Sequence, residues 1–165
     1  MISHLRDRRL WQHTLILLAL GWIIGVAVNA MRSSGAIPLL YPWSLRVESL
    51  AREQGIPMID ATAVQVALEA GTHWALDARS PAEYYAGTLP GALSLPRADA
   101  DNRFPEISLF LAPEESVITF CSSADCDDAL LLTQFLHEQG ITNAYLFIGG
   151  IEEWVAAGFE LEGGS

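Results

Sequence analysis

Between Arg9 and Arg32 the chain carries no formal charge for 22 residues, from Leu10 to Met31, with LILLALGWIIGVAV at the centre. As a helix rising about 1.5 Å per residue, such a run reaches roughly 33 Å and matches the hydrocarbon core of a bilayer. Two readings compete. Val28-Asn29-Ala30 ends in a small residue, so cleavage after Ala30 would make the segment a signal peptide. The run is longer than the usual signal core of about 7–15 residues, which favours a retained membrane anchor. Both readings export whatever follows.

Charge is divided unevenly. Residues 1–32 hold four arginines against one acid, whereas residues 33–165 hold five arginines against nineteen acids, and lysine is absent throughout. Arg6, Arg8 and Arg9 precede the apolar run while Arg32 alone follows it closely. Positive residues tend to stay on the cytoplasmic side, so the expected orientation is N-terminus inside and domain outside, the periplasmic face in a bacterium. Trp11 stands where an interfacial anchor belongs. A domain this acidic repels nucleic acid and anionic headgroups, and no basic cluster exists outside the N-terminal flank. Nucleic-acid binding is therefore excluded as an expectation.

The expected organisation is a cytoplasmic flank at 1–9, a transmembrane helix at 10–31, a linker with a short helix at 32–56, one domain at 57–162 and a tail at 163–165. Pro38 and Pro42 stiffen the linker and stop the helix from continuing. Ser44 is placed to cap a short helix over Leu45–Glu53 that ends at Gly55. Short apolar runs then alternate with amphipathic stretches. Strands are predicted at Pro57–Asp60, Trp74–Ala78, Leu93–Leu95, Val117–Phe120 and Tyr145–Ile148. Helices are predicted at Ala61–Ala70, Pro81–Ala86, Asp127–Gln139 and Ile151–Ala157, with a helical turn or two within Phe104–Leu111. This alternation predicts an α/β fold, a mostly parallel sheet with helices on both faces.

In such a sheet, ligands meet the protein beyond the carboxyl ends of the strands. Cys121 stands there, directly after Val117–Phe120, and Ser122, Ser123, Ala124, Asp125 and Cys126 lead from it towards a helix. Small residues let such a loop curl so that backbone N–H groups converge on one centre. That nest, with the helix N-terminus, stabilises a thiolate or a bound anion, and the thiolate is the nucleophilic form of cysteine. The competing structural reading is a buried core cysteine.

Three stretches together resemble the rhodanese homology domain. The first is Leu76-Asp77-Ala78-Arg79-Ser80-Pro81-Ala82-Glu83-Tyr84, continuing to Gly87-Thr88-Leu89-Pro90-Gly91-Ala92, with Thr88 where the family usually has histidine. The second is the Cys121 loop. The third is Gly149-Gly150-Ile151-Glu152-Glu153-Trp154, then Gly158. The resemblance implies a five-stranded, largely parallel sheet and a sulfurtransferase mechanism. Cys121 would take sulfane sulfur from a donor, hold it as a persulfide among the loop amides, and pass it to a thiol acceptor or another nucleophile. Asp77 and Arg79 carry over as family positions near the active-site side. Arg79 is the candidate for binding an anionic donor, with a structural ion pair as the competing reading for both. The glycines and Trp154 read as structural.

The loop also departs from the pattern. Glycine is replaced by Ala124 and the usual arginine by Cys126, and Asp125, Asp127 and Asp128 make the mouth acidic. Thiosulfate, a dianion, is poorly attracted there, and carboxylates disfavour a neighbouring thiolate. The acids equally suit the first turn of a helix. Cys126 is placed to act as a resolving thiol, closing a disulfide on a persulfide or sulfenate at Cys121. A permanent Cys121–Cys126 bridge is the structural alternative, and an exported compartment permits it. Two cysteines with neighbouring carboxylates are few ligands for a closed metal site, so neither a metal nor a cofactor is expected. Two functions follow as expectations: a membrane-anchored sulfurtransferase or persulfide–thiol redox protein acting through Cys121, or a binding module docking a membrane or periplasmic protein.

Overall fold

A computed structural model describes residues 8–32, 45–111 and 114–163. The expected linker over 33–43, the capping role of Ser44 and the flank before Arg8 lie outside the described residues. The chain divides into two compact units, Met1–Tyr41 and Pro42–Ser165. In the first, helix α1 spans Arg8–Met31, and its Trp11–Met31 portion is long and apolar enough to cross a membrane. Its apolar side chains, Leu17, Trp22 and Ile24 among them, are exposed rather than packed on a core.

The second unit alternates helix and strand: α2 (Arg46–Glu53), β1 (Met58–Ile59), α3 (Ala61–Glu69), β2 (Trp74–Asp77), α4 (Pro81–Ala86), β3 (Leu93–Ser94), α5 (Ala100–Ile107), β4 (Val117–Phe120), α6 (Asp128–Glu138), β5 (Ala144–Phe147) and α7 (Gly150–Ala156). The five strands form one sheet in the order β1-β5-β4-β2-β3, every pairing parallel. One antiparallel bridge, Thr88 to Glu162, lies outside it. The expected α/β architecture is observed.

Local chemistry accounts for the element ends. Asp60 caps α3 by accepting from the Ala63 N–H, and Ser80 caps α4 in a reciprocal box with Glu83, Pro81 following at the first helical position. Gly71 and Gly140 sit at positive φ just past α3 and α6. One expectation is met and extended. The turns placed within Phe104–Leu111 belong to α5, which starts at Ala100 after a 3₁₀ turn over Arg97–Asp99 and ends at Ile107. Ala100 and Ile107 are buried, and this anchoring sustains the helix although Pro105 inside it lacks an N–H.

The sheet separates two apolar cores. One packs α2, α5 and α6 against Leu76, Ala78, Val117, Cys121, Ala144 and Leu146. The other packs α3 and α7 against Ala75, Ile118, Phe120 and Phe147, with Trp154 fully buried at its centre. Central strand β4 serves both faces, which explains why all four of its residues are buried. Side chains alternate along a strand, so Val117, Thr119 and Cys121 face α6 while Ile118 and Phe120 face α7. Thr119 is satisfied on that face by the Ala129 carbonyl and the Thr133 hydroxyl of α6. Alternation alone thus directs Cys121 towards the segment that carries Cys126.

Candidate functional site: a paired-cysteine loop at the end of the central strand

The loop leaves β4 at Cys121 and turns at Ser123, whose carbonyl accepts from the Cys126 N–H at 3.1 Å. It enters α6 through Asp127 and Asp128. This tight turn brings the two cysteines together, and they form a disulfide with a Cα–Cα distance of 6.2 Å. Among the described residues no free cysteine exists. Cys121 is 3% exposed, within the α6-side core, while Cys126 is half-buried and Asp125 exposed.

That pairing corrects the picture of a free Cys121 thiolate in a ring of amides. The Ser122 hydroxyl stands 3.7 Å from Cys121 Sγ. In the oxidised form Cys121 is not a nucleophile. A nucleophile appears only when a reductant opens the bridge.

The far side of the loop is clamped by the third motif. The Ile151 N–H donates to the Cys121 carbonyl at 3.0 Å and the Glu152 N–H to the Ser122 carbonyl at 2.9 Å, so α7 begins directly against the loop backbone. Gly150, at φ +56, passes so close that a Cβ there would stand 2.1 Å from the Cys121 carbonyl oxygen. Trp154 anchors the same helix, donating from Nε1 to the Glu160 carbonyl and packing on Phe159. The structural reading of the glycines and Trp154 holds.

The first motif is a buried network. Asp77, fully buried at the end of β2, accepts from the Arg79 N–H, Nε and Nη2 and from the Thr88 hydroxyl at 2.8 Å. Arg79 Nη2 also donates to the Gly87 carbonyl at 2.6 Å. Arg79 is 7% exposed. The expectation that it meets an anionic donor is therefore corrected: Nε and Nη2 are committed to Asp77 and Gly87, the side chain is buried, and it fixes the chain between β2 and the Gly87–Thr88 turn. Thr88, where histidine is usual, joins that network through its hydroxyl.

The structure instead brings Arg46 to the loop. From the start of α2, Arg46 Nη1 bonds Asp127 Oδ2 at 2.8 Å. Asp127 stands at the N-cap position of α6 but makes no side-chain cap bond, so its carboxylate serves the ion pair rather than the helix end. Nothing in the sequence points to Arg46, because 81 residues separate it from Asp127. Asp128 Oδ2 lies 3.9 Å from Cys126 Sγ, so the loop gathers two sulfurs and a carboxylate. A cavity of about 380 Å³ lies elsewhere, between the end of α3, the start of β2 and Pro90-Gly91. It opens at the N-terminal edge of the sheet, about 13 Å along the strands from Cys121, and shares no residue with the loop.

A parallel α/β sheet with a cysteine-bearing loop between its central strand and a helix defines a class of proteins that present sulfur at a strand end. The chain belongs to the rhodanese-like domain family, whose family model matches residues 60–157, more than half of the sequence. Among solved structures it resembles a thiosulfate sulfurtransferase from Pseudomonas aeruginosa at 31% identity and a TM-score of 0.62, over 75% of this chain but only 23% of that one. A Bacillus halodurans protein matches at 22% identity and TM-score 0.60, covering 72% of this chain and 85% of its own. A rhodanese-related protein from Thermoplasma volcanium matches at 19% identity and TM-score 0.55, covering 64% and 97% respectively. No curated protein matches the sequence.

Proposed function

We propose that this protein is a membrane-anchored, externally facing persulfide–thiol redox protein in which Cys121 receives sulfane sulfur and Cys126 resolves it. The observation that carries this reading is the Cys121–Cys126 bridge at the end of the central strand. In the cycle, an external dithiol first reduces the bridge and is itself oxidised to a disulfide. The Cys121 thiolate then attacks the outer sulfur of a persulfide donor, forming the Cys121 persulfide and releasing the donor thiolate. The Cys126 thiolate attacks Cys121 Sγ, expelling hydrosulfide and reforming the bridge, so the dithiol's two electrons leave with the sulfide. Direct transfer of the outer sulfur to an acceptor thiol is the sulfurtransferase branch of the same site. Resemblance to a thiosulfate sulfurtransferase supports the sulfur-transfer class. The acidic loop disfavours a dianionic donor and favours a neutral or singly charged persulfide.

The apolar Trp11–Met31 portion of α1 and the arginines before it support anchoring with the N-terminus inside, and an exported compartment lets the bridge persist. Alkaline carbonate extraction of cell membranes tests the anchor: the full chain stays in the pellet, and release into the supernatant refutes it. The chemistry is tested by reducing the full chain with a phosphine, removing it, and adding polysulfide. Mass spectrometry should show a gain of about 32 Da, the mass of one sulfur, that Cys121→Ser abolishes and that accumulates in Cys126→Ser. The absence of an adduct in both wild type and Cys126→Ser overturns the reading. It would favour the second one, a binding module, which the lack of a free thiol supports.

A further inference from the structure

We infer that the reduced loop is a cation site, in which Cys121 Sγ, Cys126 Sγ and the Asp128 carboxylate hold one thiophilic divalent ion of the zinc class. The three ligand atoms already lie within 4.8 Å of one another. A tetrahedral ion with sulfur at about 2.3 Å and oxygen at about 2.0 Å sets its sulfur and oxygen ligands roughly 3.5 Å apart and its two sulfurs roughly 3.8 Å apart. Cys126 Sγ and Asp128 Oδ2 stand at 3.9 Å, so that edge of the tetrahedron is nearly formed. The second edge forms when reduction frees the sulfurs to separate by side-chain rotation, the backbone keeping its 6.2 Å Cα spacing.

Burial grades across the set in the order a half-open site needs. Cys121 is buried, Cys126 half-buried and Asp128 exposed, so protein closes one side and the fourth position faces water. Charge points the same way. Two thiolates and Asp128 meet the dication, and Asp125 adds negative potential around it. Among the described residues the cation bonded to the loop is Arg46, and it is engaged by Asp127 rather than by the ligand atoms. The same acidity that repels an anionic sulfur donor attracts this ligand. Binding converts two thiols to thiolates and releases two protons. A loaded site has no free thiolate, so the ion holds the pair reduced and closed to persulfide. This inference concerns the same loop as the proposed redox cycle but does not depend on sulfur transfer.

The test uses the full chain in detergent micelles, reduced with a phosphine that is then removed. Cadmium(II) is added as the optical probe and zinc(II) as the competing ion. The expected result is one equivalent bound per chain, a thiolate-to-cadmium absorption band, and displacement by zinc. Asp128→Asn should lower affinity by at least about 10-fold, since it removes the charged oxygen among three protein ligands and even loss of a group outside the ligand set typically costs about 10- to 100-fold. Zinc should also slow iodoacetamide labelling of both cysteines in the reduced wild-type protein, a readout that needs no variant to fold. Absence of the band, unprotected thiols, or unchanged affinity in Asp128→Asn overturns the site. A sulfur adduct without a cadmium band defeats this inference alone, whereas a band without an adduct leaves it standing and defeats the redox cycle.

Discussion

Gly150 lies against the carbonyl of Cys121 with no room for a side chain: a methyl group there would approach that oxygen to 2.1 Å, and φ is +56. The second glycine of the closing motif thus shapes the cysteine loop from across the sheet edge. It lets α7 dock closely enough for Ile151 and Glu152 to donate to the loop carbonyls.

Gly150→Ala should therefore destabilise the domain by about 3 kcal/mol or more, adding a backbone clash to the cost of left-handed backbone. Gly158→Ala provides the contrast. Its φ is +86 but its Cβ would meet nothing within 4 Å, so the loss should be only about 1–2 kcal/mol. Urea denaturation of both variants checks the difference, and equal losses would refute the role assigned to the Gly150–Cys121 contact.

Reducing the bridge should weaken the fold modestly without abolishing it. Six residues span Cys121 to Cys126, and loop-closure entropy for so short a ring is about 2 kcal/mol. Most of the core packing on both sheet faces involves neither cysteine. Denaturation midpoints measured with and without a phosphine should differ by that amount, and Cys126→Ser should match the reduced protein.

Arg79→Ala should be among the most damaging single substitutions outside the apolar core. It leaves the fully buried Asp77 carboxylate with Thr88 as its remaining side-chain partner, at a cost of about 3–5 kcal/mol. Asp77→Asn with Arg79→Met should recover part of that loss, because no unpaired charge is then buried. If Arg79→Ala instead folds normally and only weakens donor binding, the guanidinium serves the substrate after all.

His73 gives the fold a mild acid sensitivity. Burial holds its pKa below the ordinary 6.5, because desolvation penalises the imidazolium. Below pH 6.5 the unfolded chain takes up a proton that the folded chain resists, so stability falls as pH drops from there through the lowered folded value. Above 6.5 this contribution is fully present. His73→Gln should flatten the stability profile on that limb, measured by thermal denaturation between about pH 5 and 7. An unchanged slope would assign the acid sensitivity to other groups.

Much of the molecule was legible because its signals are local. Ser80-Pro81 with Glu83 specifies the start of α4 through a capping box that needs only adjacent residues. The β-branched and aromatic run Val117–Phe120 announces a strand covered on both faces. The apolar stretch behind α1 is a matter of length and composition. Cys121 at a strand end followed from the same alternation, and Cys126 was recognisable as its partner in sequence.

What the tertiary structure decided concerns partners distant along the chain. Arg79 looked available for an anion, but the fold buries it beside Asp77 and brings the Gly87 carbonyl to its fork. Arg46 reaches the loop only because α2 packs beside α6. The state of the cysteines turns on the strand's two-residue alternation and the turn at Ser123, which together set one sulfur against the other. Periodicity and caps are written in neighbouring residues, whereas ion pairs and a cross-loop bond depend on which elements the sheet order makes adjacent.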